Sequence, residues 1–363
     1  MKKNLFILAA TAAALASCSN DVTTAVNTSL NAPQEITFRT TADRMTRAAD
    51  ITSAADLKSI NVYAFQTGTT ATPYINNVTF TGPTTYISTP TQNWPAYNLD
   101  FYAWSANSVA HGDASTQVST TAYNSYVVTP STTATTQADF IYATASNKGA
   151  AGNTGGVALA FTHKESRIIV KVKNLNESLS FSVTGWKLGF MVPNATFNGS
   201  EWTSLGTATA STVYTSDFST APLAIPYHAS NTTELTGSQI MIPQGVTPVS
   251  AYASASEGAA VNGAYIGIQY TASTVSPVSE YQAQTWGIWK IPAITWEAGK
   301  QYTYIIDLAQ GGYYETNKNS TDANLDPIFV NTEIKFAGVT ITDWVTDLNG
   351  NSNDDDDINA IMN

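Results

Sequence analysis

Residues 157–174 read VALAFTHKESRIIVKVKN. Val157, Leu159 and Phe161 alternate with alanines, and after the polar break at THKES the run SRIIVKVK again sets aliphatic residues two apart. A period of two places one side-chain set on each face of an extended chain, so this stretch predicts two β-strands. The same signature recurs outward in both directions. Upstream it predicts strands at 60–66 (INVYAFQ), 99–104 (LDFYAW) and 139–143 (DFIYA), with 157–161 and 166–173 in the quoted stretch. Downstream it predicts 181–190, 237–243, 264–271, 285–291, 301–308, 332–337 and 339–345. These runs are short and bounded by Gly, Pro or Asn, and no long stretch repeats every 3.6 residues; only Ala54–Lys58 reads as one helical turn. The expected class is all-β, with two tandem β-sandwich domains of transthyretin-like or immunoglobulin-like Greek-key type. The polar region from Asn194 to Thr212 sets the expected junction, giving one domain at 48–200 and another at 201–345.

The chain has 363 residues, 43% of them apolar, which is enough for two cores. Its net charge of −11 comes from 27 acids against 16 bases, with no basic run to follow a phosphate backbone. That argues against nucleic acid as a partner.

At the N-terminus Lys2 and Lys3 precede an apolar stretch from Leu5 to Leu15, then Ala16, Ser17 and Cys18. This is the layout of an export signal, here residues 1–17. Its apolar part is about half of the ~20 residues that a membrane-spanning helix needs. Leu15-Ala16-Ser17-Cys18 resembles the lipobox of bacterial lipoproteins, which implies that Cys18 is lipidated and becomes the first residue. Cys18 is the only cysteine, so no intrachain disulfide competes for it. Acyl chains add ~0.8 kcal/mol per buried methylene, and several on one residue hold a protein on the outer membrane. Residues 19–34 are polar and aperiodic, a spacer between lipid and fold.

Beyond the spacer, residues 35–50 read EITFRTTADRMTRAAD. Three of the four arginines in the chain, Arg39, Arg44 and Arg47, fall here, directly behind the alternating pair Ile36 and Phe38. With the lipobox in front, this stretch joins LDFYAWSAN, VALAFTHKESRIIVKVKN, ITWEAGKQYTYIIDL and the closing VTITDW in a series that resembles the fimbrillin family. These are lipoprotein-derived type V pilins of anaerobic bacteria. The resemblance implies a subunit of a cell-surface fimbrium with a role in adhesion. It also implies that an arginine-specific surface protease removes residues 18–47 by cutting between Arg47 and Ala48, with Arg44 and Arg39 as lesser sites. A short polar connection is where a protease reaches backbone. Loss of the strand carrying Ile36 and Phe38 would forfeit ~3–6 kcal/mol of apolar burial and leave an unpaired groove. A strand from another copy or a related pilin subunit could fill it. Donor and groove are different patches, so such contacts propagate head to tail.

The resemblance places the donor at the C-terminal end. Ile334 and Phe336 alternate before Gly338, and Val339 and Ile341 after it, so 332–345 reads as two short strands joined at a flexible point. The acidic tail 346–363 is polar except at Ile358, Ile361 and Met362; it becomes the alternative donor if 339–345 closes its own domain.

The remaining features point away from chemistry. Asp347–Asp357 lacks the glycine and terminal glutamate of a calcium loop in register, so no metal is expected. No phosphate loop, nucleophile elbow or zinc-protease motif occurs, and the chain is not read as an enzyme or as needing a cofactor. His163 is expected to be a hydrogen-bonded structural residue, while His111 and His228 stand in polar loops. Glu165, Glu297 and Asp307 are isolated carboxylates. The competing reading is a cell-surface glycan-binding lipoprotein using Trp94, Trp286 and Trp289, with Trp104, Trp186 and Trp344 assigned to packing between sheets.

Overall fold

The computed structural model describes residues 33–40, 57–82, 84–105, 117–248, 263–309, 313–314, 336–343 and 358–359. The described residues are strands and loops, with two short 3-10 turns at Ala134–Thr136 and Ala150–Gly152 and no α-helix. The chain is all-β.

In the N-terminal half a six-stranded antiparallel sheet runs in the order Thr162–His163, Ile141–Lys148, Leu99–Ser105, Ser59–Gln66, Ile75–Thr81, Ile87–Ser88. Along the strand Ser59–Gln66, Ile60, Val62 and Ala64 point into one core while Tyr63 and Phe65 point into another. This strand is covered on both faces, which is why its burial is nearly continuous. The first core is closed by Ile36, Phe38, Val157 and Leu159. The second is closed by Tyr126, Val128 and Phe197. These come from a four-stranded sheet ordered Trp202–Thr203, Ala195–Phe197, Ser125–Thr129, Gln117–Ala122.

The C-terminal half is a pair of six-stranded sheets. One carries Ala229–Glu234, Ser166–Asn174, Lys300–Asp307, Phe336–Asp343 and Ile358–Asn359 in that order, with Gln239–Met241 also on Ser166–Asn174. The other carries Val213–Asp217, Leu179–Gly189, Tyr265–Val275, Val278–Lys290 and Tyr313–Tyr314, with Leu223–Ile225 also on Leu179–Gly189. Ile168, Val170 and Val172 from the first meet Trp186, Leu188, Ile266, Ile268 and Trp289 from the second in one core.

Three expectations are corrected. The junction is not at Asn194–Thr212: Ser166–Asn174 and Leu179–Gly189 already belong to the C-terminal sheets, and Ala195–Phe197 then returns to cover the N-terminal one. The chain therefore crosses near Lys164–Ser166. The run SRIIVKVK shows that a strand exists; its parallel pairing with Lys300–Asp307, more than 100 residues away, is what assigns it to a sheet. Second, Gly338 does not divide two strands among the described residues. Phe336–Asp343 is one strand antiparallel to Lys300–Asp307, with Ala337 as the extra residue where the register shifts between Ile305 and Ile306. Such a bulge absorbs the small residues without ending the strand. Residues 332–335 and 344–345 lie outside the described residues. Third, 139–143 starts late, as Ile141–Lys148, because Asp139 and Phe140 are drawn into the crossing region.

Candidate functional site

Residues 34–40 thread between two segments of the N-terminal half. On one side Ile36 N–H donates to Gln92 O at 2.7 Å and Phe38 N–H to Tyr86 O at 3.1 Å. Tyr86 N–H returns a bond to Phe38 O at 2.8 Å and Trp94 N–H one to Gln34 O at 2.9 Å. On the other side Val157 N–H donates to Thr37 O at 2.8 Å, and Phe38–Thr40 runs parallel to Val157–Leu159 with Phe38 opposite Val157 and Arg39 opposite Ala158. This strand is bonded along both edges, so its arginine does not decorate a free sheet edge.

Side chains alternate as the sequence predicts. Ile36 and Phe38 are fully buried, while Glu35 and Arg39 face outward. The Phe38 ring stands edge-on to Phe80 (4.8 Å between centroids) and to Phe101 (5.2 Å). Trp94 packs edge-on to Phe101 at 5.7 Å and closes one side of the same core. Gly156, at φ +87°, lets the loop before Val157 approach closely: a Cβ there would meet Thr37 Oγ1 at 3.0 Å and the Phe38 carbonyl carbon at 3.3 Å. Gln34 Nε2 ties down the same loop by donating to Ala150 O at 3.2 Å. Tyr86 fixes the opposite wall, its hydroxyl donating to Leu57 O at 2.7 Å. Burial pushes that phenol up to about 12, so it stays a donor at any physiological pH.

Among the described residues, the core around Ile36 and Phe38 is apolar. The groove is a slot for one extended segment with an aliphatic side chain, an outward residue and an aromatic ring in succession. Filling it with Ile36 and Phe38 is worth roughly 3–6 kcal/mol in apolar burial alone.

The other expected site residues fall elsewhere. Cys18, Arg44, Arg47, Ala48, His111, Ile334, Trp344 and Asp347–Asp357 lie outside the described residues. Phe336, Val339 and Ile341 lie in the strand paired with Lys300–Asp307, opposite Ile306, Tyr304 and Tyr302, in the chain's own sheet. Only the two-residue pairing of Ile358–Asn359 with Thr340 and Ile341 lies beyond that strand among the described residues.

The aromatic platform is not assembled. Trp289 is in the C-terminal core, Trp94 packs into the N-terminal one, and Trp286 is half-buried with Lys187 Nζ 4.3 Å above its ring. Trp104 and Trp186 are buried packing residues, and the Trp186 indole donates to Thr236 O at 2.9 Å. Glu297 and Asp307 stand at opposite ends of one strand. Glu297 precedes the strand Lys300–Asp307 and Asp307 ends it, separated by roughly 20 Å at ~3.3 Å per residue. Asp307 accepts from Leu175 N–H and Ala309 N–H.

What sequence reasoning missed is a buried polar cluster at the crossing. His163 Nδ1 bonds Asp139 Oδ2. Glu165, without solvent exposure, accepts Phe140 N–H at 2.8 Å through Oε2, and its Oε1 has no hydrogen-bond partner among the described residues. Burial, and after it the charge of Asp139, pushes the Glu165 carboxyl well above its ordinary range. A carboxyl raised in the native state stabilises the fold below its unfolded pKa, and that contribution is lost as pH rises toward the native value. Glu165→Gln keeps an acceptor for Phe140 without a titrating group. The variant is therefore expected to gain stability relative to the wild type as pH rises from 4 to 7. Urea unfolding at the two pH values checks this; a gap that closes with rising pH would mean the fold prefers the carboxylate.

A fimbrillin-like family model matches residues 46–344. The chain belongs to the fimbrillin-like family. Among solved structures it is similar to a fimbrial protein from Bacteroides vulgatus ATCC 8482, with 18% identity and a TM-score of 0.53, covering 75% of this chain and 94% of that one. It also matches the tip fimbrial protein Mfa3 from Porphyromonas gingivalis with C-terminal truncation, at 11% identity and a TM-score of 0.34, over 85% and 98% of the two chains. No curated protein matches. The likeness to the Bacteroides vulgatus protein speaks for the fold alone. The family match begins at Thr46, which leaves the groove strand of this fimbrillin-like chain outside it.

Proposed function

We propose that this chain is a structural subunit of a cell-surface fimbrium with a role in adhesion, assembled by exchange of its first strand. In this reading Cys18 anchors the exported precursor to the outer membrane through lipid. An arginine-specific surface protease cuts between Arg47 and Ala48, and a strand from another copy or a related subunit takes the place of residues 35–40. The observation that carries the reading is the groove strand itself: Ile36 and Phe38 complete a core, yet they sit just ahead of a polar, arginine-rich connection. Membership of the fimbrillin-like family supports it, as does a family match that starts next to Arg47.

The donor is drawn from the C-terminal region. Among the described residues Phe336–Asp343 lies next to the margin of its sheet, so it can leave with few bonds broken beyond its own ladder.

N-terminal sequencing of surface material and an unboiled denaturing gel test the proposal together. The expected result is a mature N-terminus at Ala48 and a ladder of large species that collapses on boiling. A chain that begins at lipid-modified Cys18 and runs as a monomer would instead mean a surface lipoprotein that does not assemble.

A further inference from the structure

At the end of the N-terminal sheet away from the crossing, the end of Ile141–Lys148 lies beside the start of Leu99–Ser105, followed by the end of Ser59–Gln66 and the start of Ile75–Thr81. Between the first two opens a depression of about 410 Å³ whose lining includes Asn98, Asn147, Lys148, Gly149, Gly152 and Asn153. Next to it the exposed rings of Tyr74 and Tyr97 meet edge to face, 6.0 Å between centroids and 83° between planes. We infer that this corner is a saccharide-binding site, which takes a neutral sugar ring with its C–H face on the tyrosines and its hydroxyls on the three asparagine amides. The inference gives the adhesive role proposed above a ligand class; it rests on that reading for its place at the cell surface and not on how subunits join.

The lining decides the class of ligand. It consists of three carboxamides, one ammonium and three residues no larger than alanine. With no large apolar side chain among these residues, an acyl chain or an apolar peptide would find little surface to bury against. With one ammonium and no guanidinium, they make a poor clamp for a phosphate or sulfate. A sugar instead presents adjacent hydroxyls that both donate and accept, on a ring with an apolar C–H face. A carboxamide sets an acceptor beside two donors and suits the first, and an aromatic ring suits the second.

The amides are held in place with atoms to spare. Asn98 Nδ2 donates to Asn147 Oδ1 at 2.8 Å, which leaves Asn98 Oδ1 as an acceptor and Asn147 Nδ2 as a donor. Asn153 Nδ2 donates to Gly149 O at 2.8 Å, which leaves Asn153 Oδ1. Asp100 Oδ1 fastens the loops by accepting Asn147 N–H at 2.7 Å and the Thr67 hydroxyl at 3.0 Å, while Thr67 N–H donates to Asn98 O at 2.9 Å. A Cβ at Gly149 would collide with Asn98 Oδ1, so glycine there preserves that acceptor. On the aromatic side the Tyr74 hydroxyl is anchored to Asn93 O at 2.6 Å, and Tyr97 directly precedes Asn98, which joins the two surfaces. None of Trp94, Trp286 and Trp289 lines the depression.

The test is to pass the purified full-length chain over an array of immobilised neutral oligosaccharides of hexoses and N-acetylhexosamines, with sialylated and sulfated oligosaccharides alongside. The expected result is binding within the neutral set, weakened about tenfold in Tyr97→Ala and abolished in Gly152→Trp. A Cβ at Gly152 meets nothing within 4 Å, so the indole can enter the depression without displacing backbone, and unchanged urea unfolding checks that both variants fold. Tyr281→Ala, which removes an exposed ring from Val278–Lys290 in the C-terminal half, should bind as the unsubstituted chain does. Binding that survives both Tyr97→Ala and Gly152→Trp, or that falls equally in Tyr281→Ala, overturns the site. Binding to acidic oligosaccharides alone overturns the ligand class, and binding to none overturns the inference. These readings are made on the unassembled chain, so they leave the fimbrial reading to be decided separately by the mature N-terminus and the gel ladder.

Discussion

Phe38→Ala is expected to lower the stability of the uncut chain by about 3–5 kcal/mol, the usual cost of emptying a buried phenylalanine site. The ring has no solvent exposure and stands between Phe80 and Phe101, neither of which can move without disturbing the central antiparallel sheet. The neighbouring substitution Arg39→Ala removes a longer side chain from an exposed position opposite Ala158 and should change stability by no more than about 0.5 kcal/mol. Urea unfolding followed by tryptophan fluorescence suits the comparison, because Trp94 reports on the same core through Phe101. Equal losses from the two substitutions would place the ring outside the groove.

The second large effect concerns the connection after the strand. On the function proposed above, replacing Arg39, Arg44 and Arg47 together by alanine should abolish polymer while leaving export and surface anchoring intact, because the groove would then stay occupied by its own covalently attached strand. Arg47→Ala alone should move the cut to Arg44 and leave assembly nearly normal, since both sites follow the buried pair. The measurement is the mature N-terminus beside the gel ladder. A ladder of normal intensity from the triple variant, with residues 18–47 still attached, would show that subunits associate without vacating the groove.

The fold class was legible because buried strands in this chain alternate or run apolar over six or more residues, as in INVYAFQ and SRIIVKVK. Strands such as Ile75–Thr81 (INNVTFT), Gln117–Ala122 (QVSTTA) and Ala229–Glu234 (ASNTTE) were not, since polar Thr, Ser and Asn fill their outward and edge positions. Those residues are as common in loops, and only a paired neighbour tells the two apart. For the groove, the alternation of Ile36 and Phe38 identified the occupant. The walls at Tyr86–Trp94 and Val157–Leu159 lie about 50 and 120 residues away in sequence, and no local pattern announces which segments will flank a strand. The crossing near Lys164 was hidden for the same reason.

Pairing along both edges of residues 34–40 also sets how the joint would carry tension. A pull on a fibre would load an inserted strand along its own length, whereas its hydrogen bonds to Tyr86 and Gln92 point sideways and the one to Val157, on the parallel side, is slanted across that load. None of these bonds can be peeled alone; they shear together, and the buried ring must be dragged past Phe80 and Phe101 in the same movement. An antiparallel hairpin pulled from its open end would instead give way one bond at a time. In the exchange proposed above, a segment of six or seven residues, held on two sides and keyed by one aromatic side chain, would make a mechanical coupling far stiffer than its length implies.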